Sequence, residues 1–153
     1  MLGCVMTIVS WNVRGLAGFE KRREVCQLVT ENKPIILCIQ ETKLSLFDTQ
    51  VCRAMWGDVD VDFSFQPSLG ASGGLVTMWD KKEVEVWSSM SFEHVLVILG
   101  RFVMTREHFV LFNVYAPCDV VHQKALWNNI SIRLNSFVGK TSVYAGILIR
   151  SVV

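Results

Sequence analysis

Short apolar runs and one longer amphipathic segment alternate along the first 40 residues. "VMTIVSW" and "IILCIQ" are almost wholly apolar, which is typical of strands covered on both faces of a sheet. Between them, "EKRREVCQLVTEN" repeats its apolar residues at helical spacing, and a Lys-Pro pair closes it. The pattern predicts a strand, a helix and a second strand.

The middle of the chain predicts a helix and a hairpin. A second amphipathic helix is expected around "LFDTQVCRAMWG", ending at Gly57. "VDFSFQ" alternates apolar and polar residues as a half-buried strand does, and "GASGG" separates it from the apolar run "LVTMWD". We interpret "GASGG" as a hairpin loop and not as a phosphate-binding loop, because no helix follows it.

The last third of the chain predicts three strands, a helix and a final strand. The segments are, in order, "EVEVW", "HVLVILGRFVM", "HFVLFNVY", the helical spacing of Leu126, Ile130, Leu134 and Phe137, and "TSVYAGILIRSVV". Helices alternating with strands predict an α/β or α+β layered fold. At 153 residues the chain has the length of one domain.

Composition and the N-terminal sequence limit the cell compartments and the binding partners that can be expected. A formal net charge of +1 gives no general electrostatic case for nucleic-acid binding, although it leaves room for a local basic patch. The five cysteines are scattered without a C-x-x-C pair, and the chain has only three histidines, which argues against a zinc module and against disulfides. The first residues lack the basic part of a signal peptide, and no apolar stretch reaches the ~20 residues of a membrane span. We therefore expect an intracellular protein, nuclear or cytoplasmic, that is neither secreted nor membrane-bound.

Polar side chains stand at the ends of three predicted strands. They are Asn12, then Glu41 with Lys43, and finally Asn113 with Tyr115. A carboxylate next to a buried strand is costly unless it is paired or binds a cation. Mg²⁺ favours oxygen ligands, often one or two carboxylates with water and phosphate oxygens, and a lysine nearby could face the phosphate. Alternatively, Glu41 only caps or solvates the following turn, and the pattern does not decide between these interpretations.

Four motifs carry a family resemblance. "VSWNVRGL", "IILCIQETK", "SGGL" and "FVLFNVYAP" follow one another in the order and approximate spacing of the endonuclease/exonuclease/phosphatase superfamily. Within it, the chain most resembles the apurinic-type endonuclease domain of plant LINE-type (non-LTR) retrotransposons. The resemblance implies a four-layer α/β sandwich that hydrolyses DNA phosphodiesters with Mg²⁺ or Mn²⁺.

The resemblance also implies roles for individual residues. Asn12 and Glu41 would hold the metal ion, and Tyr115 would hydrogen-bond the scissile phosphate, so that these three form the catalytic set. Lys43 and Asn113 would contact the substrate phosphate.

The chain departs from the family pattern near its end. Where the family has Gly-Asp-Phe-Asn, Gly146 is followed by Ile147, Leu148 and Ile149, and neither isoleucine can accept a proton or bind a metal ion. A later Asp-His motif has no position before Val153. We therefore expect residues 1–153 to be a partial domain without its C-terminal half, and to be inactive alone. The alternatives are a non-enzymatic remnant, a nucleic-acid-binding module and, less favoured, a lipid or inositol phosphodiesterase.

Overall fold

The secondary structure follows the order that the sequence predicts. The computed structural model describes residues 6–138 and 145–152, and within them eight strands and three helices. In chain order these are β1 (Ile8–Asn12), α1 (Phe19–Asn32), β2 (Ile36–Gln40), α2 (Thr49–Trp56), β3 (Val61–Gln66), β4 (Leu75–Asp80), β5 (Val84–Phe92), β6 (Val95–Phe102), β7 (His108–Ala116), α3 (Val120–Val138) and β8 (Ala145–Val152). The strands form two four-stranded sheets, ordered β1-β2-β4-β3 and β5-β6-β7-β8.

Local chemistry sets the ends of α2. The helix begins at Thr49, about a turn later than the apolar pattern predicts, because Asp48 caps it by accepting a hydrogen bond from the Val51 amide at 2.8 Å. It ends where predicted, at Gly57, which takes the left-handed conformation with a φ of 83°.

The hairpins confirm the predicted strand pairs, with one difference in length. β3 and β4 pair antiparallel across the "GASGG" loop. β5 continues to Phe92, past the predicted end at Trp87, and its register with β6 shifts between Val86 and Ser88. The irregularity interrupts the alternation of apolar residues, which is why the sequence pattern shows only the first part of this strand.

The packing confirms the expected four-layer α/β sandwich. One apolar cluster joins α1 and α2 to the outer face of the first sheet. It includes Val25 from α1, Met55 from α2 and Leu37 from β2. A second cluster fills the space between the sheets, and a third packs α3 against the outer face of the second sheet. The layers are therefore helix, sheet, sheet, helix.

Two further expectations from the sequence concern membrane-spanning segments and disulfides. Among the described residues, no helix has both the length and the apolar character needed to span a bilayer. The described cysteines, Cys26, Cys38, Cys52 and Cys118, are all free thiols. Cys38 is fully buried, and burial raises the pKa of its thiol to about 12.

Candidate active site

The first two strands bring Asn12 and Glu41 to the same edge of the first sheet. β1 and β2 run parallel, with Asn12 beside Gln40. The contact continues beyond the strands, because the Gly15 amide donates to the Glu41 carbonyl at 2.8 Å. The Asn12 side chain accepts a hydrogen bond from the Arg14 amide at 3.1 Å. The carboxamide and the carboxylate predicted to act together therefore stand on adjacent chain segments.

Glu41 lies in a turn whose backbone is strained. Glu41 and Lys43 have φ values of 57° and 55°, in the left-handed region that non-glycine residues seldom adopt. Such strain persists where the surrounding structure holds it in place. Here the "GASGG" loop does so, since the Gly74 carbonyl accepts from the Thr42 amide at 3.1 Å and the Gly73 carbonyl accepts from the Lys43 amide at 2.9 Å. The loop was predicted only to join two strands, and it also fixes the turn that carries Glu41.

The Glu41 carboxylate is largely withdrawn from water and faces a cation. Its side chain is 14% exposed, and an oxygen lies 3.6 Å from Nζ of Lys43, whose side chain is 41% exposed. A largely buried carboxylate attracts positive charge more strongly than an exposed one, because water screens it less. The ammonium group of Lys43 stays accessible to an anion from solvent.

Tyr115 approaches the same place from the second sheet. Burial raises the pKa of its phenol, and the negative charge of Glu41 raises it further. The backbone of Tyr115 is held by its amide, which donates to the His94 carbonyl at 3.0 Å. The phenol therefore keeps its proton at neutral pH and is available as an uncharged hydrogen-bond donor within electrostatic reach of Glu41.

Asn113 lies apart from the solvent-facing groups. It is fully buried, its Oδ1 accepts from Gln40 Nε2 at 2.9 Å, and its Nδ2 donates to the Val76 carbonyl at 3.0 Å and to Thr77 Oγ1 at 3.1 Å. These contacts give it the role of tying the two sheets together. The sequence-based assignment of a phosphate contact does not fit this burial, because a phosphate arriving from solvent cannot reach the side chain.

Gln40 is a buried polar residue behind the candidate site, and the sequence-based reasoning placed it at a strand end without giving it a role. It is fully buried and donates at 2.9 Å both to Ser10 Oγ and to Asn113 Oδ1, and its own Oε1 has no hydrogen-bond partner among the described residues. It therefore links β1, β2 and β7 directly behind Glu41. The sequence does contain a signal for this position, because Gln40 is a carboxamide at the end of an apolar strand. A polar side chain that is buried there requires hydrogen-bond partners.

The donor set fits a sparsely coordinated hard cation. Among the described residues, no group of three or more His, Cys, Asp or Glu side chains is arranged to hold a metal ion. Glu41 and Asn12 supply a carboxylate and a carboxamide at one edge, and the Glu41 carboxylate is poorly solvated. Mg²⁺ is commonly held by one or two carboxylates, with water and substrate phosphate completing its shell. The residues therefore suit Mg²⁺ bound together with a phosphate, and they do not suit a metal ion held by the protein alone.

Comparison with known proteins agrees with this fold. The model of the Endonuclease/Exonuclease/phosphatase family matches residues 9–136, and the chain belongs to this family. No curated protein sequence matches the chain.

Several solved structures have the same fold. The catalytic domain of human Nocturnin, solved with a bound sulfate anion, superposes with a TM-score of 0.72 at 14% identity over 93% of this chain. TDP2 from D. rerio, complexed with a single-strand DNA product, gives a TM-score of 0.60 at 18% identity over 96%. The AP endonuclease LMAP from Leishmania major gives 0.57 at 20% identity over 85%. The chain spans 62%, 59% and 44% of these three structures, respectively.

Proposed function

We propose that the edge formed by Asn12, Glu41 and Tyr115 binds a DNA phosphodiester together with Mg²⁺ or Mn²⁺. The observation that carries the proposal is the Glu41 carboxylate, which is 14% exposed, lies in a strained turn beside Asn12, and raises the pKa of a phenol from the other sheet. The printed names of two structural relatives, an AP endonuclease and a TDP2 with a DNA product, support DNA as the substrate class.

Each side chain has a distinct part in this proposal. Glu41 and Asn12 would hold the metal ion, which, when bound, neutralises the charge that develops on phosphoryl oxygens. Lys43 attracts and orients the phosphate through its accessible ammonium group. Tyr115 donates a hydrogen bond to a phosphate oxygen, since its phenol is protonated. Asn113 and Gln40 act through these groups as positioning residues and do not contact the substrate.

Hydrolysis by this chain is expected to be weak, and the reason lies on β8. This strand runs parallel to β7, with position 147 paired to Leu111 and position 149 paired to Asn113. The family resemblance places an acidic residue and an asparagine at these positions, and the chain has Ile147 and Ile149. An aliphatic side chain cannot accept a proton, and loss of a general base costs about 10²–10⁴-fold in rate. We therefore propose a phosphodiester-binding domain of plant LINE-type endonuclease ancestry with little or no turnover, acting inside the cell.

Metal-dependent nicking of supercoiled DNA tests the proposed loss of turnover. Wild type and Glu41→Ala are expected to nick equally little with Mg²⁺, because the proton-accepting group is absent from both. The experiment also includes the Ile147→Asp/Ile149→Asn variant, because this variant carries the residue types that the resemblance places on β8. Robust nicking by wild type that Glu41→Ala abolishes would show an active enzyme and overturn this part of the proposal.

Phosphate binding is tested separately by fluorescence anisotropy of a labelled DNA oligonucleotide over a range of salt concentrations. Lys43→Ala is expected to weaken binding and to reduce the logarithmic salt dependence by about one unit, because one phosphate contact is lost. Lys124→Ala is the matched control, since Lys124 is an exposed lysine on α3. Equal effects of the two substitutions would contradict a phosphate site at Lys43.

Sequence downstream of the chain tests the proposed ancestry. A shifted reading frame that restores Gly-Asp-Phe-Asn and continues into a reverse transcriptase would support it. Unrelated sequence there would count against it.

A further inference from the structure

A groove of about 410 Å³ opens beside the candidate site. The loop between β3 and β4, from Pro67 to Gly74, forms one wall, and the turn between β5 and β6 at Glu93 and His94 forms the other. Tyr115 lines the groove and also belongs to the site. The two are further joined by the hydrogen bond from the Lys43 amide to the Gly73 carbonyl. A ligand whose phosphate lies at Lys43 and Tyr115 can therefore extend into the groove without leaving the protein surface.

The lining of the groove does not suit a phosphate. None of the described lysine or arginine side chains lines it. Its charged side chain is Glu93, which is 84% exposed and lies 3.5 Å from His94 Nε2. Two basic groups lie outside the groove lining: Lys43 faces the Glu41 carboxylate, and Arg22 donates to the Leu16 carbonyl at 2.9 Å. A negatively charged group is favoured at Lys43, and an uncharged group is favoured in the groove.

The surfaces inside the groove suit a flat ring. The rings of His94 and Tyr115 enter from two different elements, with their centroids 6.4 Å apart and their planes inclined by 46°. Leu69, on the loop, is 86% exposed beside them. Gly73 lines the wall of the groove without a side chain, and a Cβ built on it would meet open space. Aromatic rings, an apolar rim and the hydroxyl group of the exposed Ser72 together match a nucleobase, which has an apolar face and a polar edge.

We propose that this groove holds an unpaired nucleobase of the strand whose phosphate is bound at Lys43 and Tyr115. The proposal deepens the function proposed above and rests on it. A base inside a duplex has both faces covered by its neighbours, so it reaches such a groove only when it is unstacked. The domain therefore binds single-stranded DNA, or DNA with an unpaired base, more tightly than intact duplex.

The test compares two labelled single-stranded oligonucleotides of equal length and phosphate number. One carries normal bases, and the other carries abasic spacers throughout its centre. With wild-type protein, the base-bearing strand is expected to bind roughly five- to 150-fold more tightly, the range that stacking of one base contributes. A fully paired duplex is expected to bind more weakly than the base-bearing single strand.

Two substitutions in one loop connect this preference to the groove. Ser72→Trp places a large ring in the groove from an exposed lining position, and it should reduce the preference for the base-bearing strand at least severalfold. Ala71→Trp is the matched control, because Ala71 is the exposed neighbour that does not line the groove. Thermal unfolding of both variants checks that the loop substitution leaves the fold intact.

The possible outcomes separate this inference from the function on which it rests. Equal, salt-dependent binding of both oligonucleotides by wild type would overturn the nucleobase groove and leave the phosphate site standing. A base preference that Ser72→Trp and Ala71→Trp reduce equally would also overturn it. Absence of binding to either oligonucleotide would overturn the groove and the proposed DNA-binding function together.

Discussion

The charge of Glu41, which directly follows β2, acts on the phenol of Tyr115 in β7 of the other sheet. The pKa of the Tyr115 phenol is raised, first by burial and then by the negative charge of Glu41. Because the folded pKa exceeds the unfolded one, the contribution to stability is complete below the ordinary tyrosine pKa and is lost as the pH rises through the folded value. Across the neutral range, Tyr115 is therefore a donor and not a phenolate.

Glu41→Gln is expected to lower the pKa of Tyr115, because it removes the nearby negative charge. The value should remain above the usual tyrosine range, since burial is the larger cause and stays in place. An alkaline titration of phenolate absorbance measures this, with Tyr115→Phe subtracted to remove the signal of Tyr144. Glu93→Gln is the matched carboxylate control and should leave the titration unchanged. If Glu41→Gln also leaves it unchanged, the two groups do not face each other as described.

At the scale of elements, the β3–β4 loop matters most because it clamps the Glu41 turn. Gly74 has a φ of 93°, and a Cβ built on it would overlap the Oγ1 atom of Thr42. Gly70, in the same loop, also has a positive φ, 62°, but its Cβ would meet open space. A comparison of substitutions at Gly70 and Gly74 therefore distinguishes the cost of backbone strain from the cost of steric overlap.

Gly74→Ala should destabilise the protein more than Gly70→Ala. Alanine in the left-handed region costs about 1–2 kcal/mol at either position. Overlap with Thr42 adds about 1–3 kcal/mol at position 74. Urea unfolding measures the difference, and DNA binding should fall for Gly74→Ala alone, since only that substitution displaces the segment carrying Lys43. Equal losses of stability would mean that the loop does not clamp the turn.

At the scale of the whole molecule, a buried polar connection joins the two sheets behind the site. Gln40 from the first sheet and Asn113 from the second lie 73 positions apart in the chain and share a hydrogen bond of 2.9 Å. Asn113 also donates to the Val76 carbonyl and to Thr77 in β4. This connection holds the end of β2, which leads into Glu41, against β7, which carries Tyr115.

Asn113→Leu should lower the free energy of unfolding by at least about 1–3 kcal/mol, because it leaves buried polar partners without hydrogen bonds. Asn128→Leu, at an exposed position of α3, should change it by no more than about 0.5 kcal/mol. Denaturant unfolding of both variants gives the comparison. A second readout is the pKa of Tyr115, which should shift in the Asn113 variant if the sheets move apart. Stability equal to wild type would remove Asn113 from the positioning role.

Most of the fold could be predicted because its signals are local. The periods of two and 3.6 residues that mark strands and helices are visible within short windows, as in α1 and β3. Caps such as Gly57 also act within one turn. The extension of β5 to Phe92 was missed because a register shift interrupts its pattern, and pairing with β6 completes that strand.

The site was predicted in part, for a related reason. A polar residue after an apolar strand marks a strand end, and parallel pairing of β1 with β2 then brings Asn12 and Glu41 together. Asn113 occupies a similar place in the pattern but faces the other sheet, so it is buried. No local pattern distinguishes a side chain at the open edge from one between the sheets.

Local chemistry in the chain therefore determined which segments become strands and helices and which residue types reach the strand ends. Tertiary packing decided the rest: the electrostatic influence of Glu41 on Tyr115, the burial of Gln40 with Asn113, and the hydrogen bonds by which Gly73 and Gly74 hold the Glu41 turn. These contacts join segments that are distant in the chain. Their geometry depends on how the layers pack, and no short stretch of sequence contains that information.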